Sequence, residues 1–155
     1  MKLEIFTLRA GNYAVSTDPG LIRLTELEEL LADLYGQDEL SRSQLLRQLE
    51  NSTILFGVFH VSAPRPWPLV GFCRVVSDLT RIAYIADVVI RHDYQHHGLG
   101  SLLMEAVQQH PDLARVRVQC LETENAHGLY RKHGFSSMQR PWIWMEKRQP
   151  GTPWK

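Results

Sequence analysis

A glycine loop between an apolar run and a helical pattern is the stretch of this 155-residue chain best suited to chemistry. The apolar run Ile82 to Ile90 leads into Gln95-His96-His97-Gly98-Leu99-Gly100. Apolar residues then recur at helical spacing, at Leu99, Leu102, Leu103, Ala106 and Val107. A strand that passes through glycines into a helix directs unpaired backbone N–H groups and the positive end of the helix dipole at one point. Such a junction favours a phosphate or pyrophosphate group.

The elements that must position this loop can be read from apolar periodicity and turn residues. Strands are predicted at Tyr13 to Ser16, Thr53 to His60, Leu69 to Val76, Ile82 to Ile90, Arg115 to Leu121 and Trp142 to Glu146. Helices are predicted from Leu24 to near Gly36, from Ser41 to Asn51, from Gly100 to Gln109 and from about Glu124 to His133. Ser41 and Gln44 have the spacing of a capping box, and Leu45, Leu46 and Leu49 would form the core face of the helix they start.

The order of these elements predicts the fold class. Three strands joined by short connections form an antiparallel meander, and a helix then separates Ile82 to Ile90 from the next strand, which makes those two strands parallel neighbours. We therefore expect an α/β fold with a single mixed sheet, an antiparallel meander plus a parallel pair, flanked by helices. Residues 1–155 would form one domain, with a polar tail at about 149–155.

Composition excludes several classes of protein. Seventeen basic residues balance seventeen acidic ones, so the chain has no excess positive charge that would favour binding to nucleic acid or to an anionic membrane. Hydrophobic residues make up 44%, which argues against disorder. No stretch reaches the ~18 apolar residues of a membrane span, and we expect a cytoplasmic protein with no nucleic-acid or membrane partner. Cys73 and Cys120 fall in predicted strands and are expected to be small apolar residues of the core.

Two motifs together carry a family resemblance. Gln95-x-x-Gly98-x-Gly100 is followed by Leu129-Tyr130-x-x-x-Gly134-Phe135. Both resemble the acetyl-coenzyme A binding core of the GNAT superfamily of N-acetyltransferases, and the predicted order of elements is similar to the GNAT order over nearly the whole chain. The run Gly71 to Asp78 resembles a group of small stand-alone bacterial members. The resemblance implies the GNAT fold, with acetyl-CoA as the acetyl donor.

The resemblance also implies roles for particular residues. Backbone amides of the loop would hold the cofactor pyrophosphate, which involves Gln95, His96, His97, Gly98, Leu99, Gly100 and Ser101. Backbone groups of Val88, Val89 and Ile90 would pair with the pantetheine arm, while their side chains serve equally well as core residues. Tyr130 would protonate or anchor the leaving thiolate, the alternative being an aromatic residue packed on the sheet.

A base is needed to deprotonate the substrate amine before it attacks the thioester. Asp87 is the first candidate, because it interrupts an apolar strand where an unpaired charge would be costly. A carboxylate satisfied by local backbone or by an arginine is an equally good interpretation of Asp87. Glu122, Glu124 or a water chain are the alternatives for the base.

Other residues near the motifs fit chemistry less well. No metal site is expected, because the adjacent His96 and His97 of a tight loop point apart and His92 alone does not complete a zinc site. Cys120 lacks a placed base and is not expected to be a nucleophile. Thr123 stands where many GNAT proteins have an asparagine, and Asn125 lies two positions further on, so the role of either residue toward cofactor stays open.

The predicted function is transfer of an acetyl group from acetyl-CoA to a primary amine of a small molecule or peptide, by direct attack in a ternary complex. The alternatives are an acyl-CoA-binding sensor or interaction module without transfer activity, and nucleotide binding by the same loop. The sequence determines neither the amine nor the oligomeric state, and it leaves a homodimer open. Trp67, Trp142 and Trp144 would line an aromatic-amine pocket or pack at the rim of the core.

Overall fold

The computed structural model describes residues 3–35 and 40–151. Six strands run in chain order across one sheet: β1 (Thr7–Ala10), β2 (Tyr13–Ser16), β3 (Ile54–His60), β4 (Leu69–Ser77), β5 (Ile82–Ile90) and β6 (Val118–Cys120). Four α-helices accompany them: α1 (Leu24–Tyr35), α2 (Arg42–Glu50), α3 (Leu99–Gln109) and α4 (His127–Lys132). Short 3-10 turns lie at Pro19–Leu21, His92–Tyr94 and Pro141–Ile143.

The sheet is mixed, as predicted. All neighbouring strands from β1 to β5 pair antiparallel, and β5 pairs parallel with β6. The crossover between the two parallel strands contains α3, because parallel neighbours need a long connection and a helix supplies it. This crossover starts at the glycine loop, so the topology places that loop at the end of the strand β5.

Each face of the sheet has its own apolar cluster. Helix α3 covers one face, where Leu103, Met104 and Ala106 are buried against residues such as Val58 and Ile85. Helices α1 and α2 cover the other face, where Leu27, Leu30, Leu31 and Leu45 pack against Phe59, Leu69 and Phe72. The central strands β3, β4 and β5 contribute side chains to both clusters.

Local sequence signals account for most element boundaries. The capping box is confirmed, since the Ser41 hydroxyl accepts from the Gln44 N–H and the Gln44 side chain accepts from the Ser41 N–H. The predicted helix after Pro19 to Gly20 is observed up to Tyr35, whereas its end near Gly36 lies outside the described residues. Leu34 and Leu46 follow the helical spacing but are exposed, by 41% and 42%, so the core face of each helix is narrower than predicted.

Several strand predictions were wrong. The strand β1 was not predicted, although it forms a hairpin with β2. The two-residue turn Gly11-Asn12, in which Gly11 has φ of 55°, is of a kind typical of hairpins. The strand predicted over Arg115 to Leu121 is limited to Val118–Cys120. The strand predicted at Trp142 to Glu146 is absent, since Pro141–Ile143 forms a 3-10 turn and the following residues pair with no strand in the described chain. Alternation alone indicated a strand there, but a strand needs a neighbouring edge.

The two cysteines are free, and Cys73 is fully buried while Cys120 is half-buried, in agreement with a packing role. Within residues 3–35 and 40–151 no helix is long and apolar enough to cross a bilayer. The cytoplasmic location and the homodimer stay predictions.

Candidate functional site

Hydrogen bonds and left-handed residues in the loop after β5 connect the end of this strand directly to helix α3. The Gln95 side chain donates to the Ile90 carbonyl at 3.1 Å, and a His97 ring nitrogen lies 2.8 Å from the Gln95 carbonyl. His96 and Gly98 both adopt left-handed backbone conformations, with φ of 62° and 76°. Gly98 is the N-cap of α3, so its φ lets the chain turn directly from the loop into the helix. The exposed loop and the first helical turn thus present backbone N–H groups to solvent.

Gly100 has a different role from Gly98. A Cβ placed on Gly100 would lie 3.2 Å from Leu129 Cδ2, whereas a Cβ on Gly98 would meet no atom within 4 Å. Gly100 therefore lets α4 approach the first turn of α3 closely. The Ser101 hydroxyl, 2.7 Å from His133 Nε2, ties the same two helices together. Because Leu129 precedes Tyr130 in α4, this packing holds the helix that carries Tyr130 against α3.

The histidines of the loop do not converge on a metal site. His92, His96 and His97 are all exposed, and the described residues contain no group of three or more metal-ligating side chains. His97 is occupied with the Gln95 carbonyl. In the described part of the chain, the loop geometry fits an anion better than a metal ion.

Strand β5 has an open edge next to this loop. Its register with β6 ends at Tyr84↔Cys120, so β5 continues to Ile90 without a parallel neighbour. Val89 is buried against α1 and α2, while Val88 and Ile90 pack on the α3 side. These side chains are core residues, as the plain interpretation predicted, and their backbone remains available along the open edge.

A bulge interrupts the other side of β5. The register with β4 passes from Phe72↔Val89 to Arg74↔Ala86, so Asp87 and Val88 stand opposite the single residue Cys73. Neither bulge residue has a partner in the register with β4 or with β6 over the described strands. Asp87 itself has φ of 56°, an uncommon conformation for a residue other than glycine.

The Asp87 side chain is buried and fully engaged. Its exposed fraction is 6%, its Oδ2 accepts from Arg74 Nε at 2.6 Å, and its Oδ1 accepts a short hydrogen bond from the Tyr35 hydroxyl. Burial and the hydrogen bond to Asp87 raise the pKa of Tyr35 well above its usual value, which keeps the phenol protonated as the donor. The alternative in which an arginine satisfies Asp87 is thus the arrangement observed.

Arg74 and Tyr35 were not identified from the sequence. Arg74 did carry a signal, because it is the only charged residue in the apolar strand β4, and a lone charge in each of two adjacent strands favours an ion pair. Tyr35 carried none, since it lies 52 positions from Asp87 and only the packing of α1 on the sheet brings them together.

Tyr130 lies on the α3 side of the sheet. Its side chain is 7% exposed and packs edge-on against Phe135, with ring centroids 6.0 Å apart. Burial raises the pKa of Tyr130 to about 12, with a smaller contribution from the charge that Cys73 would carry as a thiolate. No hydrogen bond to the Tyr130 hydroxyl occurs among the described residues. The phenol is therefore protonated at neutral pH and has its donor available.

The alternative carboxylates lie at the end of β6. Glu122 and Glu124 are exposed, and the charge of Glu122 contributes to raising the pKa of Tyr84, after burial. Smaller contributions to the pKa of Tyr84 come from Cys120, Arg74 and Asp87. Thr123, at the position where the family has asparagine, accepts from the Ala126 N–H at 3.0 Å and starts the turn into α4. Asn125 is exposed.

The tryptophans do not share one pocket. Trp67 is half-buried beside a pocket of about 140 Å³ whose lining includes Leu21 and Phe59, and Arg65 lies 3.9 Å from the centre of its ring. Trp142 and Trp144 are 73% and 56% exposed. The pocket lies near the start of α1, whereas the Asp87 cluster lies at its end, so these are separate features.

Comparison with known proteins agrees with this fold. The family model for the acetyltransferase (GNAT) domain matches residues 68–137, which include β4, β5, the loop, α3, β6 and α4. A solved structure from Xanthomonas campestris, of a protein assigned to the GNAT family of acetyltransferases, is 33% identical with a TM-score of 0.77, over 90% of this chain and 94% of that one. The chain belongs to the GNAT superfamily of acetyltransferases.

Curated relatives give the same class. A protein of Gibberella zeae that is named as an acetyltransferase is 29% identical over 76% of this chain and 75% of its own length. The protein named as uncharacterized N-acetyltransferase ycf52 of Pyropia yezoensis is 33% identical over 74% of this chain, which spans 65% of that relative. The family and the fold predicted from the two motifs are therefore confirmed, and acetyl transfer is the class of reaction.

Proposed function

We propose that this protein is an acetyl-CoA-dependent N-acetyltransferase, which transfers the acetyl group to a primary amine of a small molecule or peptide by direct attack in a ternary complex. The observation that carries the proposal is the continuous path from the open edge of β5 to the N-terminus of α3. A pantetheine arm extended along Val88 to Ile90 would reach the loop of Gln95 to Ser101 with its pyrophosphate.

Tyr130 is proposed to serve the leaving thiolate. The buried phenol lies on α4, which the Gly100 contact holds against the first turn of α3. Its donor has no partner among the described groups, so a thiolate formed beside it would receive a charge-assisted hydrogen bond. Membership of the superfamily supports this role, since Tyr130 falls inside the region that the family model matches.

The Val88 N–H is proposed to polarise the thioester carbonyl. It belongs to a bulge residue that has no partner in the register with β4 or β6 over the described strands, and Val88 lies in the part of β5 beyond the end of β6. A fixed N–H donor aimed at developing negative charge is an efficient source of transition-state stabilisation in a site shielded from water.

For the base we favour Glu122, directly or through water, over Asp87. Both Asp87 oxygens already accept strong hydrogen bonds, whereas Glu122 is exposed and close enough to Tyr84 to affect its pKa. A carboxylate open to water can accept the amine proton without first breaking an ion pair. Glu124 is the alternative of the same kind.

Acetyl-CoA binding and thiol release test the proposal. Calorimetry with acetyl-CoA should show binding, and release of free thiol should require an amine from a panel of small amines and lysine peptides. Gly98→Glu should abolish binding, because it brings a negative charge and a side chain to the loop. Gln109→Glu adds the same charge at the exposed far end of α3 and should bind normally. Equal affinity in the two variants would contradict the loop assignment.

An acyl-CoA-binding module without transfer activity is the second candidate. The engagement of Asp87 by Arg74 and Tyr35 favours it, because the one buried carboxylate of the described core is ion-paired and shielded from solvent. Tight binding of acetyl-CoA with no thiol release on any amine would support this candidate. Stabilisation by ATP or NAD in place of CoA would support nucleotide binding.

A further inference from the structure

We propose that Asp87 is a positioning residue, whose carboxylate is clamped between Arg74 and Tyr35 so that the β5 bulge presents the Val88 N–H to the thioester carbonyl. The inference rests on the proposed function and adds to it the element that fixes the donor. Three elements take part in the clamp: β5 through Asp87, β4 through Arg74, and α1 through Tyr35, its last described residue.

The bulge needs such a clamp because its backbone is strained. Asp87 has φ of 56°, and a residue with a Cβ stays in the left-handed region only when its surroundings hold it there. Aspartate tolerates this region better than most residues, which fits its use at this position. The left-handed residue lies within the bulge, where two β5 residues stand opposite the single residue Cys73.

The contacts of Asp87 restrain it from two directions. The side chains of Arg74 and Asp87 are only 14% and 4% exposed, so their ion pair is shielded from water and salt. Arg74 is also next to the bulge in the register, opposite Ala86. The Tyr35 hydroxyl, which comes from the helix layer, donates a hydrogen bond to the other carboxylate oxygen of Asp87. The carboxylate therefore cannot rotate without losing a charge-assisted hydrogen bond.

A role as base would require different surroundings. A general base must reach the proton it removes and must have a lone pair free for it. The Asp87 carboxylate accepts from the guanidinium and the phenol and is only 6% exposed, so its remaining lone pairs are shielded from solvent, whereas the exposed Glu122 offers an open carboxylate. The geometry assigns Asp87 to holding the backbone in place.

Nuclear magnetic resonance on protein labelled with ¹⁵N-valine and ¹⁵N-glycine tests the donor directly. Addition of CoA should shift the Gly98 and Gly100 amides, and exchange of CoA for acetyl-CoA should shift the Val88 amide further. In Asp87→Gly, whose glycine adopts positive φ freely but has no carboxylate, this second shift should be lost while the glycine shifts remain. If loop amides respond but Val88 does not respond to the acetyl group in the wild type, the clamp proposal is overturned and acetyl-CoA binding stands. If no amide responds, the proposed function itself fails.

Kinetics separate positioning from proton transfer. Tyr35→Phe keeps the Arg74–Asp87 ion pair and should therefore fold even if Asp87→Gly does not. We expect kcat to fall about 10-fold or more with the KM for acetyl-CoA within about 2-fold, since only the transition-state donor is misplaced. The control Glu105→Gln, an exposed residue of α3, should match the wild type.

The pH profile of Tyr35→Phe distinguishes a positioning role of Asp87 from a role as general base. If Asp87 were the base, removal of a hydrogen bond to its carboxylate would move the acidic limb of kcat/KM along the pH axis. A positioning residue leaves the midpoint of that limb unchanged. A shifted midpoint, or an unchanged kcat, would overturn the proposal.

Discussion

Replacement of Tyr130 by phenylalanine isolates one hydroxyl in the centre of the site. The ring would still pack against Phe135, and the hydroxyl has no protein partner among the described residues, so the stability of the fold should hardly change. We expect the midpoint of thermal unfolding to stay within about 2 °C of the wild type, because a change well below 1 kcal/mol shifts it by only a few degrees. Any larger kinetic effect then belongs to the reaction.

The size of the kinetic effect follows from two pKa values. Burial raises the pKa of Tyr130 to about 12, whereas a thiol such as that of CoA has a pKa near ~8.5. Full proton transfer from the phenol to the thiolate is therefore uphill by about 5 kcal/mol, at 1.36 kcal/mol per pKa unit. Tyr130 should donate a hydrogen bond to the thiolate and keep its proton. A hydrogen bond to a charged group contributes about 1.5–3 kcal/mol, which corresponds to a roughly 10- to 150-fold decrease in kcat for Tyr130→Phe.

The assay is thiol release at saturating acetyl-CoA with whichever amine is most active, combined with calorimetry of acetyl-CoA binding. We expect kcat to fall within that range and acetyl-CoA affinity to stay within about 2-fold, because the thiolate exists only as the reaction proceeds. The activity of the wild type should show no decline from Tyr130 ionisation up to about pH 10, given its raised pKa.

Two results would refute this reasoning. An unchanged kcat would make Tyr130 a packing residue only. A loss far above 1,000-fold would mean that the phenol transfers its proton completely, and that the pKa of Tyr130 in the complex with acetyl-CoA is much lower than in the free protein.

Three further predictions concern the loop, the core and the base. Gly98→Ala should lower the free energy of unfolding by about 1 kcal/mol, because the φ of 76° at this position disfavours a Cβ although the space is open. Gly128→Ala in α4, where the space is equally open and φ is not positive, should cause no such loss. Equal losses of the two variants in urea unfolding would contradict this prediction. His110 is 1% exposed, and burial lowers its pKa, so the folded state keeps it neutral while the unfolded state takes up a proton. The free energy of unfolding should therefore fall as the pH drops below about 6.5, by up to about 1.4 kcal/mol per pH unit. His110→Leu should reduce this pH dependence. Identical slopes in the variant and the wild type would exclude His110 as the cause. Glu122→Gln should remove the acidic limb of the pH–rate profile, and Glu124→Gln should leave it in place; the reverse pattern would make Glu124 the base.

Local patterns in the sequence were sufficient for the architecture and for the main motifs. The loop glycines Gly98 and Gly100, the capping box at Ser41 and the parallel pair of β5 and β6 depend on neighbours within one or two elements, and such interactions leave a readable spacing. The different tasks of the two glycines were not readable, because only the structure shows Leu129 against Gly100. The strand predicted at Trp142 to Glu146 failed for a related reason, since pairing depends on a free edge elsewhere in the chain.

The sequence by itself determined the class of protein, because the loop motif, the Tyr130 motif and the order of elements are all local features. Tertiary structure alone decided the state of Asp87. The partners Arg74 and Tyr35 are 13 and 52 positions away, and they meet Asp87 only because β4 pairs with β5 and α1 packs across both. The left-handed bulge likewise results from pairing between strands. A lone aspartate in an apolar strand indicated that something must satisfy its charge; the packed fold shows that an arginine and a tyrosine do so.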